Sequence, residues 1–225
     1  WKMRIYHFSQ IKIKVGVPDQ NDEDRLARFR RILGKRRDLR LDANEAWNAD
    51  SLLDHVRPLL RFHPSALEQP VRHEEVDRLA TLRPLLGLPV MLDESLCGWP
   101  DAVRAVERGT ADLLNVRLSK CGGVFPSLRI IGLAGRHGLG VQLGCHPGET
   151  GLLSAAGRLL ASHLDQLRYI EGSYDRHVLA KNVIREDITF RYGGWAKPLL
   201  GPGLGVTVDP AELEAITVRQ VEVTA

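Results

Sequence analysis

Short apolar runs alternate with amphipathic stretches along nearly the whole chain, at a repeat of about 25 residues. The strand-like pieces are QIKIKVGV (10–17), LRLDANE (39–45), SALEQPV (65–71), PVMLDES (89–95), DLLNVRLS (112–119), GVQLGC (140–145) and LRYIEG (167–172). Helical patterns fill the gaps at 50–60, 74–85, 101–108, 126–137 and 150–164. Strands separated by helical stretches of this length predict right-handed βαβ units and a parallel sheet. The regular repeat, and the lack of a glycine-rich dinucleotide fingerprint, favour a TIM-like barrel over an open doubly wound sheet. From about Val183 the pattern gives way to DITFRYGGWAKPLLGPGLGVTVD, rich in Gly and Pro. The expected division is a partial barrel over 1–182 and a segment packing outside it over 183–225.

The 225 residues are 44% hydrophobic and 26% charged, which argues against a disordered, collagen-like or disulfide-scaffold chain. No apolar run approaches the roughly 18–20 residues of a membrane span, and the N-terminus lacks a signal-peptide layout. Cys97, Cys121 and Cys145 are an odd count with no CxxC pair, so they read as reduced thiols of a cytoplasmic protein, used as small buried hydrophobes. A net charge of +3 does not imply a nucleic-acid partner. The densest basic stretch, 25–40, reads as a solvated helix face with Leu26, Phe29 and Leu33 on its buried stripe. An anion-binding module built on that stretch is the reading from another class. It predicts a steep salt dependence of oligonucleotide binding.

The informative signal is where the charges fall. Lys12 and Lys14 share one face of the first strand, with Ile11, Ile13 and Val15 on the other. Either they face a barrel interior that uses them, or this is an edge strand with hydrated lysines. The next three strands carry Asp42, Glu68 and Asp93 at their ends, 26 and 25 residues apart. One βα unit per step puts all three at the same rim of a barrel. Converging carboxylates repel unless a cation neutralises them, and hard oxygen ligands without His or Cys favour magnesium, or manganese, over zinc. Helix capping is the bland reading of each Asp alone. Arg117, Lys120 and Glu171 fall at the rim of later strands. The set suits abstraction of a proton from the carbon next to a carboxylate, a metal stabilising the enediolate and a lysine beside a second cation serving as base.

KIKVG, RLDANEAW, ALEQPV, MLDES and NVRLSKCGG, in this order, resemble the barrel domain of the enolase superfamily, of the muconate-lactonizing and mandelate racemase type. The resemblance runs from about Gln10 to Gly205. It implies a (β/α)7β barrel and a magnesium ion held by Asp42, Glu68 and Asp93, with Glu94 beside them. It makes Lys14 the acid/base with Lys12 tuning it, and sets Glu171 near the substrate or the opposite base. Asn44, Asn115 and His146 are then substrate-facing positions. Glu149 reads as a structural carboxylate at the start of a helix. The implied substrate is a small carboxylate, and relatives usually self-associate, so a homo-oligomer is expected.

Two departures from the family pattern stand out. The second lysine of the family falls on Arg117, and a guanidinium does not readily accept a proton. Lys120, three residues on in a strand, is expected to point to the opposite face. One-base chemistry is therefore expected, a dehydration of the o-succinylbenzoate synthase type or a cycloisomerisation. The alternatives are a metal-binding relative without turnover, or a dipeptide or amino-acid epimerase despite Arg117. The second departure is that neither the capping domain nor the first barrel strand of the family is recognisable, so a truncated or degenerate relative is expected.

Overall fold

The computed structural model describes residues 7–172 and 175–221. Seven strands run in chain order: β1 (Gln10–Lys14), β2 (Asp38–Asp42), β3 (Ala66–Glu68), β4 (Val90–Leu92), β5 (Leu113–Arg117), β6 (Gly140–Gly144) and β7 (Leu167–Ile170). They form one sheet in the order β1 to β7, every neighbouring pair parallel. The intervening helices are α1 (Asp22–Leu33), α2 (Leu52–Val56), α3 (Leu79–Leu82), α4 (Trp99–Arg108), α5 (Val124–Arg136) and α6 (Gly151–Ala161). Two short ones, α7 (Asp175–Val178) and α8 (Pro210–Ile216), follow the last strand. No helix among the described residues is long and apolar enough to cross a membrane.

The sheet curls. The Tyr169 hydroxyl on β7 donates to Ser65 Oγ before β3 at 3.1 Å, and the Arg40 guanidinium on β2 lies 4.3 Å from the Tyr169 ring centre. Strands far apart in the order thus meet across the concave side. The α/β architecture is the expected one, a TIM-like barrel wall of seven parallel strands. Among the described residues no ladder joins β7 to β1.

Strand alternation sorts the side chains. Ile11, Ile13, Leu39, Leu41, Leu67, Val90, Leu92, Leu114, Val116 and Val141 pack with the helices in the main core. Full burial of one such side chain stabilises by about 1.5–3 kcal/mol. The concave side holds only a small apolar cluster of Ala66, Met91, Leu113 and Tyr169. Above it the interior is polar, which prepares a site rather than a core.

Local chemistry sets the helix ends. The Asn21 side chain accepts from Asp24 N at 3.0 Å, with Asp22, Glu23 and Asp24 in the first turn of α1. The buried stripe of α1 is Leu26 and Leu33, with Phe29 partly buried beside them. The helices expected at 50–60 and 74–85 are instead short α turns joined to 3-10 segments, Arg57–Phe62, His73–Arg78 and Arg83–Leu85. Pro58 and Pro84 each remove an amide donor there. In the Gly- and Pro-rich segment, Val183, Ile184 and Ile188 bury against Ala155 of α6, on the helix side of the sheet.

Two arginines of the basic stretch are committed to structure, while Arg28 and Arg31 of α1, with Lys35 and Arg36 after it, are exposed as on a solvated face. Arg30 donates to the carbonyls of Phe62 (2.7 Å), Arg37 (2.8 Å) and His63 (2.9 Å), and Arg37 to those of Phe8 (3.0 Å) and Leu33 (2.7 Å).

Candidate active site

β1 to β3 carry Lys12, Lys14, Asp42 and Glu68 on the concave side, in register: Lys14 pairs with Asp42, and Asp42 with Glu68. Asp93 and Glu171 each follow the last residue of β4 and β7, and Asn115 and Arg117 belong to β5. Asp42, Glu68 and Asp93 are at most 1% exposed, and Asn115 is fully buried. All of these side chains, predicted from separate strands, meet at the carboxyl ends of the sheet.

Two cations knit the three carboxylates together. Lys12 Nζ lies 3.0 Å from Glu68 Oε2, 3.3 Å from Asp42 Oδ2 and 3.0 Å from Glu171 Oε1. Arg117 donates to Asp93 Oδ2 and stands 3.8 Å from Glu68 Oε1, which also accepts from Asn115 Nδ2 at 2.7 Å. Lys14 Nζ donates to Asp42 Oδ2 at 2.9 Å and to Asn44 Oδ1. Burial pushes the Glu68 carboxyl up to about 7: Lys12 opposes this, while Asp42, Glu171 and Asp93 add to it. Burial also opposes the Lys12 ammonium, but Glu68, Glu171 and Asp42 together outweigh it and hold its pKa above the ordinary lysine range.

The loops beyond the strand ends are held in uncommon conformations. Asn44, Glu45 and Gln69 have φ of 43°, 63° and 34°, a region that costs a non-glycine residue about 1 kcal/mol or more. Specific bonds hold them there. Asn44 Nδ2 donates to Glu94 Oε1 at 2.8 Å, while its oxygen accepts from Lys14. One neighbour only accepts and the other only donates, so the amide has one orientation. Asn44, expected to face substrate, bridges Lys14 to Glu94.

Gln69, to which the sequence reading assigned no role, is fully buried and organises the β4 rim. Its Oε1 accepts from Asp93 N (3.0 Å) and Ser95 N (3.2 Å), and its Nε2 donates to Val71 O (2.9 Å) and Ser95 Oγ (2.7 Å). A glutamine beside a strand-end glutamate was the available signal.

Lys120 corrects an expectation. It does not point away from the site: β5 ends at Arg117, and the turn that follows brings Lys120 Nζ to 2.9 Å from Asp93 Oδ1. Strand alternation does not extend into a turn. The thiols need a second correction, since Cys97 is exposed while Cys121 is buried and Cys145 half-buried. Cys97 lies in the loop before α4.

His146 is exposed on the loop after β6, its Nδ1 3.0 Å from Ser119 Oγ. Ser119 Oγ donates to Glu149 Oε1 at 3.0 Å, and that oxygen also accepts from His146 N at 2.7 Å. Glu149 thereby folds the loop and precedes α6 instead of lying in it. Trp47, 6% exposed, stacks on His55 with ring centres 5.2 Å apart.

The donor set of Asp42, Glu68 and Asp93 fits a hard divalent cation, being oxygen only and deeply buried. Asp93 Oδ1 is buried and has no hydrogen-bond partner, which leaves its lone pairs unspent. Lys12 and Arg117 interleave with the carboxylates, and in this side-chain arrangement no three His, Cys, Asp or Glu residues among those described group as a cage. A cation and the two side chains therefore compete for the same oxygens.

A family model described as "Enolase C-terminal domain-like" matches residues 2–212. A hydrophobic dipeptide epimerase of Enterococcus faecalis is 29% identical over 204 residues, covering 90% of this chain and 52% of the relative. Muconate cycloisomerase 1 of Rhodococcus opacus is 29% identical over 208 residues, covering 90% and 54%. The crystal structure of a dipeptide epimerase from Cytophaga hutchinsonii, complexed with Mg and the dipeptide D-Ala-L-Val, matches with a TM-score of 0.86. It is 26% identical and covers 95% of this chain and 58% of that one. The chain thus spans little more than half the length of these relatives.

Proposed function

The chain belongs to the enolase C-terminal domain-like family, and on that premise we propose that it serves a divalent-metal-dependent lyase or isomerase that removes the α-proton of a small carboxylate with Lys14. The observation that carries this reading is the asymmetry of the rim. A lysine that reaches solvent stands at the end of β1, and an arginine tied to Asp93 stands at the end of β5.

Asp42, Glu68 and Asp93 would hold the magnesium ion, with manganese the alternative, whose chemistry is to offset negative charge gathering on a carboxylate. Lys14 in its neutral form accepts the α-proton at Nζ, the C–H pair becomes a double bond between the α-carbon and the carboxylate carbon, and the C=O π pair moves onto oxygen to give an enediolate. Asn44 and Asp42 orient the Lys14 ammonium that results. Arg117 keeps its proton and contributes positive charge only. In a dehydration, an oxygen pair of the enediolate restores the C=O, the released pair forms the double bond between the α- and β-carbons as the β-hydroxyl leaves, and Lys14 returns its proton to that oxygen as water departs from the same face. Lys12 stays charged and screens Glu68 and Asp42, and Glu171 lies within reach of both Lys12 and Arg40. On the same reading 1–182 is the catalytic barrel and 183–225 the segment that meets a capping domain.

Lys14→Ala tests the reading. Exchange of the α-proton of carboxylate substrates with deuterated water should fall by about 10²-fold or more, the usual worth of a positioned general base, while Mn2+ binding persists. Exchange at the wild-type rate would remove Lys14 from the chemistry. In a companion measurement, Arg117→Lys should introduce inversion at the α-carbon. No exchange in either protein would favour a metal-binding relative without turnover.

A further inference from the structure

Lys120 sits in the turn after β5, its side chain 12% exposed. Its ammonium donates to three backbone carbonyls, Asp93 O at 2.5 Å, Leu96 O at 2.7 Å and Asn115 O at 3.0 Å. Three N–H bonds meet three acceptors, so none is left for the carboxylate 2.9 Å away. Asp93 Oδ1 receives the charge of Lys120 without its hydrogen, and among the described residues it is one of the buried carboxylate oxygens that lack a hydrogen bond. The Asp93 peptide is meanwhile held on both sides, its N–H by Gln69 and its carbonyl by Lys120. The same ammonium ties the β4 rim to β5 through Leu96 and Asn115.

We propose that Lys120 is a positioning residue for cation binding: by spending its hydrogens on carbonyls, it orients Asp93 with Oδ1 free to coordinate. This rests on the reading that Asp93 is a metal ligand. The proposal makes a prediction opposite in sign to that of simple charge. An ammonium beside a metal site repels the metal, so if Lys120 acted only through its charge, its removal would tighten metal binding. If it acts by holding Asp93, its removal weakens binding, because partners that orient a ligand typically contribute 10–100-fold to metal affinity.

The experiment is a Mn2+ titration of the full chain followed by electron paramagnetic resonance, on wild type, Lys120→Met and Lys120→Gln. The glutamine variant retains a donor should the methionine variant fail to fold, and circular dichroism identifies the folded ones. The expected result is a 10–100-fold loss of Mn2+ affinity in the folded variants, with an altered line shape of the bound ion that reports a changed ligand sphere. Unchanged or tighter binding in a folded variant overturns the proposal and leaves the metal reading intact. Wild type that binds no Mn2+ overturns the metal reading itself, and this inference with it.

Discussion

The ammonium of Lys12 on β1 lies 3.0 Å from Oε2 of Glu68 on β3, passing over the strand between them. Such a contact requires both side chains on the concave side of a curled sheet. Of the two readings open for the first strand, a lysine pair facing inward or a hydrated edge, the structure selects the first for Lys12, whose side chain is 20% exposed. Lys14, one pleat nearer the rim, keeps 53% of its side chain exposed while still reaching Asp42.

Glu68 should give the protein a distinctive stability profile. Its carboxyl is raised from 4.5 to about 7, first by burial. Between these pH values the native state holds a proton that the unfolded chain has lost, so stability falls as pH rises through the window. The slope for one such group is at most about 1.4 kcal/mol per pH unit. Lys12, raised instead of lowered, stays protonated throughout and adds no slope there. Urea unfolding of the metal-free protein at pH 5, 6 and 7 should show the decline, and Glu68→Gln should flatten it. Equal slopes in the two proteins would assign the pH dependence elsewhere.

Gly144 on β6 pairs in register with Arg117. A Cβ at 144 would collide with Asn115 Oδ1 and meet Asn115 Cγ at 3.0 Å and Arg117 Cγ at 3.2 Å. Asn115 has little room to yield, because it is fully buried and donates to Glu68. Gly144→Ala should therefore destabilise the fold by about 1–3 kcal/mol through overpacking. It should also weaken Mn2+ binding through Glu68. Thermal unfolding and Mn2+ titration measure the two effects, and a neutral substitution would mean that β6 shifts to admit the methyl group.

The three thiols should react in a fixed order. Burial, with Glu171 and Glu149 adding to it, pushes the Cys145 thiol up to about 12, and burial raises Cys121 as well. At pH 8 almost none of Cys145 is thiolate, the form that reacts, and the shift at Cys121 runs the same way. Cys97 is exposed, so iodoacetamide should label it first, as read by mass spectrometry of peptides over time. Cys145 reacting as fast as Cys97 would contradict the packing of the β6 rim.

Much of the site was legible because strand periodicity and unit length are local properties. Asp42, Glu68 and Asp93 recur at one βα unit each, so a parallel sheet had to bring them to one edge. Lys120 was misread and Gln69 unassigned for a shared reason. Each lies beyond a strand end, where alternation no longer predicts direction and backbone turns decide it. Gln69 and Asn44 adopt positive φ without being glycine, a conformation that side-chain hydrogen bonds hold and that residue type alone does not announce.

By itself the chain's order of residues determined a parallel α/β architecture, the identity of the acidic ligands proposed and the replacement of a second lysine by Arg117. The first two follow from side-chain chemistry and from distances measured along the chain, and the last is what the family resemblance implies. Only the tertiary structure decided that Lys12 and Arg117 interleave with the carboxylates, and that Lys120 turns back to Asp93. Those relations depend on how far the sheet curls and how each loop closes, which packing of the whole chain settles and no single segment encodes.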